Sequence, residues 1–140
     1  MELLIGPFEV ATHIRTRDHY QAVRREAALA GLEPSSPPRR YEELVERLYR
    51  VLGLSAATDA VDRAFLAGAA TFTATITIPD ESVTAGLRVC DQVSASLEEL
   101  DALPGDGDNE LLAAPPEVRD YQRAFLAQLR AQLQAARPAS

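Results

Sequence analysis

The stretch ATFTATITIP, residues 70–79, decides the fold class of this chain. Small or apolar residues alternate along it with four threonines, Thr71, Thr73, Thr75 and Thr77. Alternation with a period of two places the apolar side chains on one face and the threonines on the other, which is typical of a half-buried β-strand. We therefore predict a strand over 70–78, and we take the four threonines as candidate interface residues because threonine pairs well across strands.

A second alternating segment predicts the partner of this strand. In FEVATHIRT, residues 8–16, Phe8, Val10 and Ile14 share one face. We predict an antiparallel sheet built from strands near 8–15 and 70–78. A sheet of two strands is marginal by itself, so its edges must be covered by the same chain or extended by another. This predicts a homodimer, joined through the sheet edge or through the long helices at 82–102 and 116–136.

The rest of the chain has the apolar periodicity of amphipathic helices. Glycines or prolines mark most of the boundaries. The predicted helices lie at about 18–30, 39–53, 55–68, 82–102 and 116–136. The sequence therefore predicts one α+β domain over residues 1–140, with about five helices packed on a small antiparallel sheet and a flexible tail after about residue 136.

Composition and charge exclude several classes of function. The chain has 140 residues and a net charge of −7, and its basic residues are all arginines. An acidic chain is a poor nucleic-acid binder, because phosphate contacts need a basic surface. No apolar run is long enough to span a membrane. The N-terminal residues do not resemble a signal peptide, and one cysteine permits no internal disulfide. We expect a cytoplasmic protein.

Arginines near the predicted junction of the first strand and helix form the main candidate site. The candidate binding residues are Arg15, Arg17, His19, Arg24 and Arg25. Several like charges at one junction give little to folding, so we expect them to hold an anion or an acidic partner surface.

No residue pattern predicts catalysis, a metal or a cofactor. His13 and His19 match no metal-ligand spacing. Cys90 lies on the apolar side of its helix, which predicts a buried and unreactive thiol. GDGDNE, residues 105–110, matches only the start of a calcium loop and is better explained as a solvated loop.

The order of segments supports one resemblance. DHYQAVRREAALAGL is followed by a proline-rich gap, then by RRYEELVERLYRVLG, AFLAGAATFTATITIP and the closing helix PPEVRDYQRAFLAQL. This arrangement resembles small uncharacterised proteins of GC-rich bacteria that accompany anti-sigma-factor and phosphatase components of partner-switching systems. The resemblance implies a regulatory protein, and it assigns no functional residue.

Two functions are therefore expected. The first is a non-catalytic regulatory or scaffold domain that acts through protein–protein contacts. The alternative is a domain that binds a small anion or another small ligand through the cluster Arg15–Arg25.

Overall fold

A computed structural model of the protein describes residues 1–103 and 114–137. In this part of the chain five helices pack against one antiparallel sheet of two strands, so the predicted α+β class is confirmed. The predicted loop at 105–110 and the tail beyond residue 137 lie outside the described residues. The elements in chain order are β1 (Glu2–Glu9), α1 (Val10–Leu29), α2 (Pro37–Leu52), α3 (Ser55–Leu66), β2 (Thr71–Thr77), α4 (Ser82–Asp101) and α5 (Pro116–Ala136).

The first strand is not at 8–15 as the sequence pattern predicted, because β1 ends at Glu9 and Val10 already begins α1. In β1 the side chains of Leu3 and Ile5 are fully buried, and they supply the alternation that defines the strand. Residues 10–15 continue as a helix, in which Val10 and His13 are buried at a spacing of three. The alternation read as a strand at residues 8–15 therefore arises because, over so few residues, one set of apolar positions fits both a helix and a strand.

The two strands pair with an irregularity at Gly6. Leu3 lies opposite Ile76 and Ile5 opposite Ala74, but the register shifts before Phe8 meets Phe72. Gly6 has a φ of +93°, and a Cβ atom placed on it would lie 2.5 Å from the carbonyl oxygen of Phe72. Only glycine fits this position, because any other residue would meet both backbone strain and a clash.

The outer edge of β1 is closed by two glutamines of α5. Gln128 accepts a hydrogen bond from the Gly6 N–H and donates one to the Gly6 carbonyl oxygen, both at 2.9 Å. Gln132 makes the same pair of bonds with Leu4, both at 2.7 Å. Because the two glutamines are four residues apart, they lie on one side of the helix. Their amides therefore take the place of a neighbouring strand along this edge.

The core connects the sheet with all five helices. Residues of every element belong to one buried cluster, which includes Leu3 of β1, Ile76 of β2 and Leu129 of α5. Cys90 of α4 is part of this cluster and is completely buried, as its position on the apolar stripe predicted. Burial raises the pKa of its thiol to about 12, so the sulfur stays protonated at neutral pH.

Candidate functional site

A cavity of about 540 Å³ opens between α1, α2 and α5, with residues of α3 and α4 at its margins. Its volume falls within the roughly 300–1,000 Å³ that is typical of small-molecule sites. Side chains from five separate segments of the chain form its walls. The lining residues used below are His13, Arg17, Tyr20, Arg24, Tyr41, Val45, Glu46, Tyr49, Arg50, Tyr121, Gln122 and Phe125.

All four tyrosines of the protein line this cavity: Tyr20 from α1, Tyr41 and Tyr49 from α2, and Tyr121 from α5. Each lies on the side of its helix that faces the other helices. The rings of Tyr20 and Tyr41 meet edge to face with centroids 6.3 Å apart, a favourable aromatic geometry. Burial raises the pKa of all four hydroxyls above the ordinary value, so each remains a neutral donor and acceptor at neutral pH.

His13 joins the aromatic wall through a hydrogen bond with Tyr121. The distance between His13 Nδ1 and the Tyr121 hydroxyl oxygen is 2.5 Å, and both side chains are buried. Burial, assisted by the positive charge of Arg17, lowers the pKa of His13 to about 4. The imidazole is therefore neutral at neutral pH, and the pair contributes polarity to the wall without a net charge.

Gln122 supplies a polar group that the protein itself does not satisfy. Its Nε2 donates a long hydrogen bond of 3.4 Å to the hydroxyl oxygen of Tyr41. Its Oε1 is buried and has no hydrogen-bond partner among the described residues. Leaving such an acceptor unpaired costs about 1–3 kcal/mol, so this amide is a natural contact for water or for a donor group of a ligand.

Three arginines and one glutamate give the cavity its charge. Arg17 pairs with Asp62 of α3 at 3.3 Å, and Arg24 pairs with Glu42 at 3.1 Å and with Glu46 at 3.4 Å. Arg50 of α2 also lines the cavity. Among the residues that line it there are thus three arginines and one glutamate, Glu46. Asp62 and Glu42, which pair with Arg17 and Arg24, do not line the cavity, so its wall presents more arginine than carboxylate side chains although three carboxylates balance the three arginines.

The structure divides the predicted arginine site into separate parts. All its members lie along α1 and not at a junction between strand and helix, because the helix begins at Val10. Arg17 and Arg24 reach the cavity, whereas Arg15 turns to α5 and pairs with Glu117 at 2.9 Å. His19 is half-buried, and Arg25 is exposed beside the cavity residue Arg24. Only two of the five predicted binding residues therefore share a site.

The tyrosines are the residues that sequence analysis missed. Tyr20, Tyr41 and Tyr121 fall on the apolar stripes of their helices, which predict a place in the core, whereas Tyr49 does not belong to the stripe of α2. One signal was available: a buried tyrosine needs a partner for its hydroxyl, so stripes that contain tyrosine in place of leucine indicate a partly polar interior.

The four predicted interface threonines, Thr71, Thr73, Thr75 and Thr77, are all exposed on β2. They lie on the face of the sheet that is opposite the core, together with Leu4 of β1, which is 50% exposed. The exposed face predicted from the alternation is therefore confirmed. Whether it contacts another molecule remains a prediction.

No protein-family model, no curated protein and no solved structure matches this chain. Within residues 1–103 and 114–137, no helix is long and apolar enough to cross a membrane. In the same ranges no three histidine, cysteine or carboxylate side chains come together in a way that could hold a metal ion. The functional argument therefore depends on the geometry of the cavity.

Proposed function

We propose that this protein is a non-catalytic domain that binds a small organic ligand in the cavity between α1, α2 and α5. The observation that carries the proposal is a cavity of about 540 Å³ whose wall contains every tyrosine of the chain. Sites for small molecules are largely apolar with a few well-placed polar groups. The tyrosine rings supply the apolar surface, and their hydroxyls, His13 and Gln122 supply the polar groups.

The chain provides its own reporter for this proposal. It contains no tryptophan, and all four tyrosines lie at the cavity, so its intrinsic fluorescence arises from the site itself. A library of small organic compounds can be screened for changes in tyrosine emission, with calorimetry to confirm binding. We expect at least one chemical class to bind with one-to-one stoichiometry.

Two valines of α2 allow the location to be tested. Val45 lines the cavity, whereas Val51 is half-buried on the same helix and does not line it. The change Val45→Phe places a ring inside the cavity and should abolish binding. Val51→Phe adds the same volume elsewhere and should leave the affinity unchanged. Equal binding by both variants, with both folded by circular dichroism, would show that the ligand does not occupy the cavity.

A regulatory role through protein–protein contacts, the function expected first from the sequence, remains a proposal beside ligand binding. The two are compatible, because a ligand that joins α1, α2 and α5 would alter the surfaces that these helices present. The suspected resemblance to proteins of partner-switching systems and the cytoplasmic location also remain predictions.

We also propose a homodimer that forms through the edge of β2. The N–H and C=O groups of Leu4 turn outward to Gln132, so Leu4 and Thr75 form a pair without mutual hydrogen bonds, and the backbone groups of the four threonines of β2 point away from β1. The edge of β1 is closed by α5, whereas β2 presents Thr71, Thr73, Thr75 and Thr77 without a charge, a proline or a bulge to discourage pairing. A second copy could pair antiparallel with Thr73 opposite Thr75 and Thr71 opposite Thr77. Every outward N–H and C=O group of the strand would then be satisfied.

Two proline variants separate pairing between subunits from pairing inside one subunit. The N–H of Thr75 points outward, so Thr75→Pro removes a donor from the free edge and spares the bonds to β1. Ile76→Pro removes a donor from the β1–β2 ladder and should unfold the domain. Light scattering should give a dimer mass for the wild type and a folded monomer for Thr75→Pro. A monomeric wild type at micromolar concentration would refute the dimer.

A further inference from the structure

We infer that the ligand of the cavity is an aromatic carboxylate, with its ring among the tyrosines and its carboxylate bound by Arg17 and Arg24. This inference rests on the proposed ligand-binding function and specifies the chemical class that the site selects. It follows from the position of the two arginines, the placement of the charges around the cavity and the composition of the wall.

Arg17 and Arg24 are placed to bind one anion together. They are seven residues apart on α1, which puts them two turns apart on the same side of the helix, and both line the cavity. A guanidinium group presents a planar fork of donors that matches a carboxylate. A ligand entering from the solvent would meet the partly exposed guanidinium groups of Arg17 and Arg24 before it reached the buried tyrosine rings.

The present partners of these arginines can be exchanged for a ligand at low cost. The side chains of Arg17 and Arg24 are 37% and 48% exposed, and the pair of Arg17 with Asp62 is at the surface, where an ion pair contributes little to stability. Glu42 is only 17% exposed, but it also contacts Arg39 at 3.6 Å and keeps this partner when Arg24 is released. A carboxylate held partly inside the cavity, where water is restricted, interacts more strongly with the same guanidinium groups.

The placement of the charges argues against the main alternative for a tyrosine-rich site. Aromatic rings by themselves bind cations over their faces, as in sites for quaternary ammonium groups. Here three arginines line the cavity, whereas Asp62 and Glu42, the partners of Arg17 and Arg24, do not line it, so a cation inside would meet arginines before these carboxylates. The single carboxylate among the lining residues, that of Glu46, already contacts Arg24 at 3.4 Å. The neutral pair of His13 and Tyr121 adds no negative charge.

The wall favours a flat ring over a flexible chain. Five phenyl or phenol rings and the His13 imidazole surround the space, and two of the neighbouring pairs, His13–Tyr121 and Tyr20–Tyr41, meet edge to face. His13 and Tyr121 are nearly perpendicular, at 87°, with centroids 5.6 Å apart. An aromatic ligand can continue this edge-to-face pattern, in which each ring pair contributes beyond its buried area. A rigid ring also loses less conformational entropy on binding than an alkyl chain.

Calorimetry with three probes that share one naphthalene ring tests the inference: 2-naphthoate, 2-naphthamide and 2-naphthylmethylammonium. We expect the carboxylate to bind about tenfold more tightly than the neutral amide, because charge-assisted hydrogen bonds replace neutral ones. The ammonium compound should bind most weakly. The preference for the carboxylate should decrease at high salt, since part of the attraction acts through solvent.

Neighbouring arginines provide the matched variants. Arg17→Gln combined with Arg24→Gln should remove the preference for the carboxylate and leave the affinity for the amide within about twofold. Arg25→Gln removes one exposed charge from the same helix outside the cavity and should change neither affinity. The Val45→Phe variant should abolish binding of the carboxylate and the amide alike.

The possible failures are distinct. If the amide or the ammonium compound binds as tightly as the carboxylate, or if no naphthyl probe binds while other compounds occupy the cavity, the inferred ligand class is wrong and the proposed function survives. If no compound of any class binds in a way that Val45→Phe prevents, the proposed function fails as well. A preference for the carboxylate that persists in the double arginine variant would also overturn the inference.

Discussion

Replacing the two edge glutamines by methionine tests how α5 holds the sheet. Gln128→Met and Gln132→Met keep the length and helix propensity of the side chain and remove both hydrogen-bonding groups. Each variant deprives one residue of β1 of two hydrogen bonds, Gly6 in the first case and Leu4 in the second. The same chemical change is therefore made twice on one helix, in two different environments.

The environments predict unequal losses of stability. Gly6 is buried, so its N–H and C=O groups receive little water when Gln128 is removed. Without a partner, each of these two backbone groups would lower the free energy of unfolding by up to about 1–3 kcal/mol. Because water reaches them in part, we expect a total loss of about 2–3 kcal/mol. Leu4 is at the surface, where water replaces Gln132. Its two bonds contribute about 1 kcal/mol in total, at the low end of the net value of about 0.5–1.5 kcal/mol for each bond.

Urea unfolding followed by circular dichroism measures both losses, and amide hydrogen exchange at Gly6 reports the edge directly. With a slope of about 1–3 kcal/mol per molar urea, the Gln128 variant should unfold roughly 1 M earlier than the wild type. Gln134→Met, on the exposed side of the same helix, is the control and should change little. Equal effects of the two test variants, or a larger effect at Gln132, would refute the view that Gln128 satisfies a buried strand edge.

Three further predictions follow from single residues. The thiol of Cys90 should react with a thiol reagent only as fast as the domain opens, because it is buried and its pKa is raised to about 12; rapid labelling of the native protein would contradict this. Gly6→Ala should lower the melting temperature more than Gly68→Ala, since both glycines have positive φ but only at Gly6 would a Cβ strike a backbone oxygen, that of Phe72. The lowered pKa of His13 means that the unfolded chain binds a proton near pH 6.5 and the folded chain only near pH 4. The free energy of unfolding should therefore fall as the pH is lowered from 6.5 to 4, by at most about 3 kcal/mol. In urea unfolding at a series of pH values, His13→Gln should remove most of this pH dependence.

The elements that could be predicted from sequence are those in which local pattern and tertiary packing agree. In α2, α4, α5 and β2 the periodicity persists long enough to determine one secondary structure, and the boundaries agree to within a few residues. The first strand was predicted at the wrong residues because Leu3, Leu4 and Ile5 form a short apolar run without alternation, whereas residues 8–15 alternate although most of them are helical. Pairing with β2 and closure by α5 select the earlier segment, and neither contact is visible in local sequence.

The candidate site was beyond sequence analysis for a related reason. A periodicity argument assigns each residue to the inside or the outside of its own element, and the apolar spacing of α1, α2 and α5 places Tyr20, Tyr41 and Tyr121 on the inside, where the structure has them. It cannot distinguish an inner position that is filled by a neighbour from one that borders a cavity, because that depends on how α1, α2 and α5 cross. The arginines were noticed for their charge, yet only the helical position of Arg17 and Arg24 separates them from Arg25. Long-range geometry, which brings three ordinary amphipathic stripes together into one aromatic wall beside Arg17 and Arg24, is therefore the source of the proposed specificity.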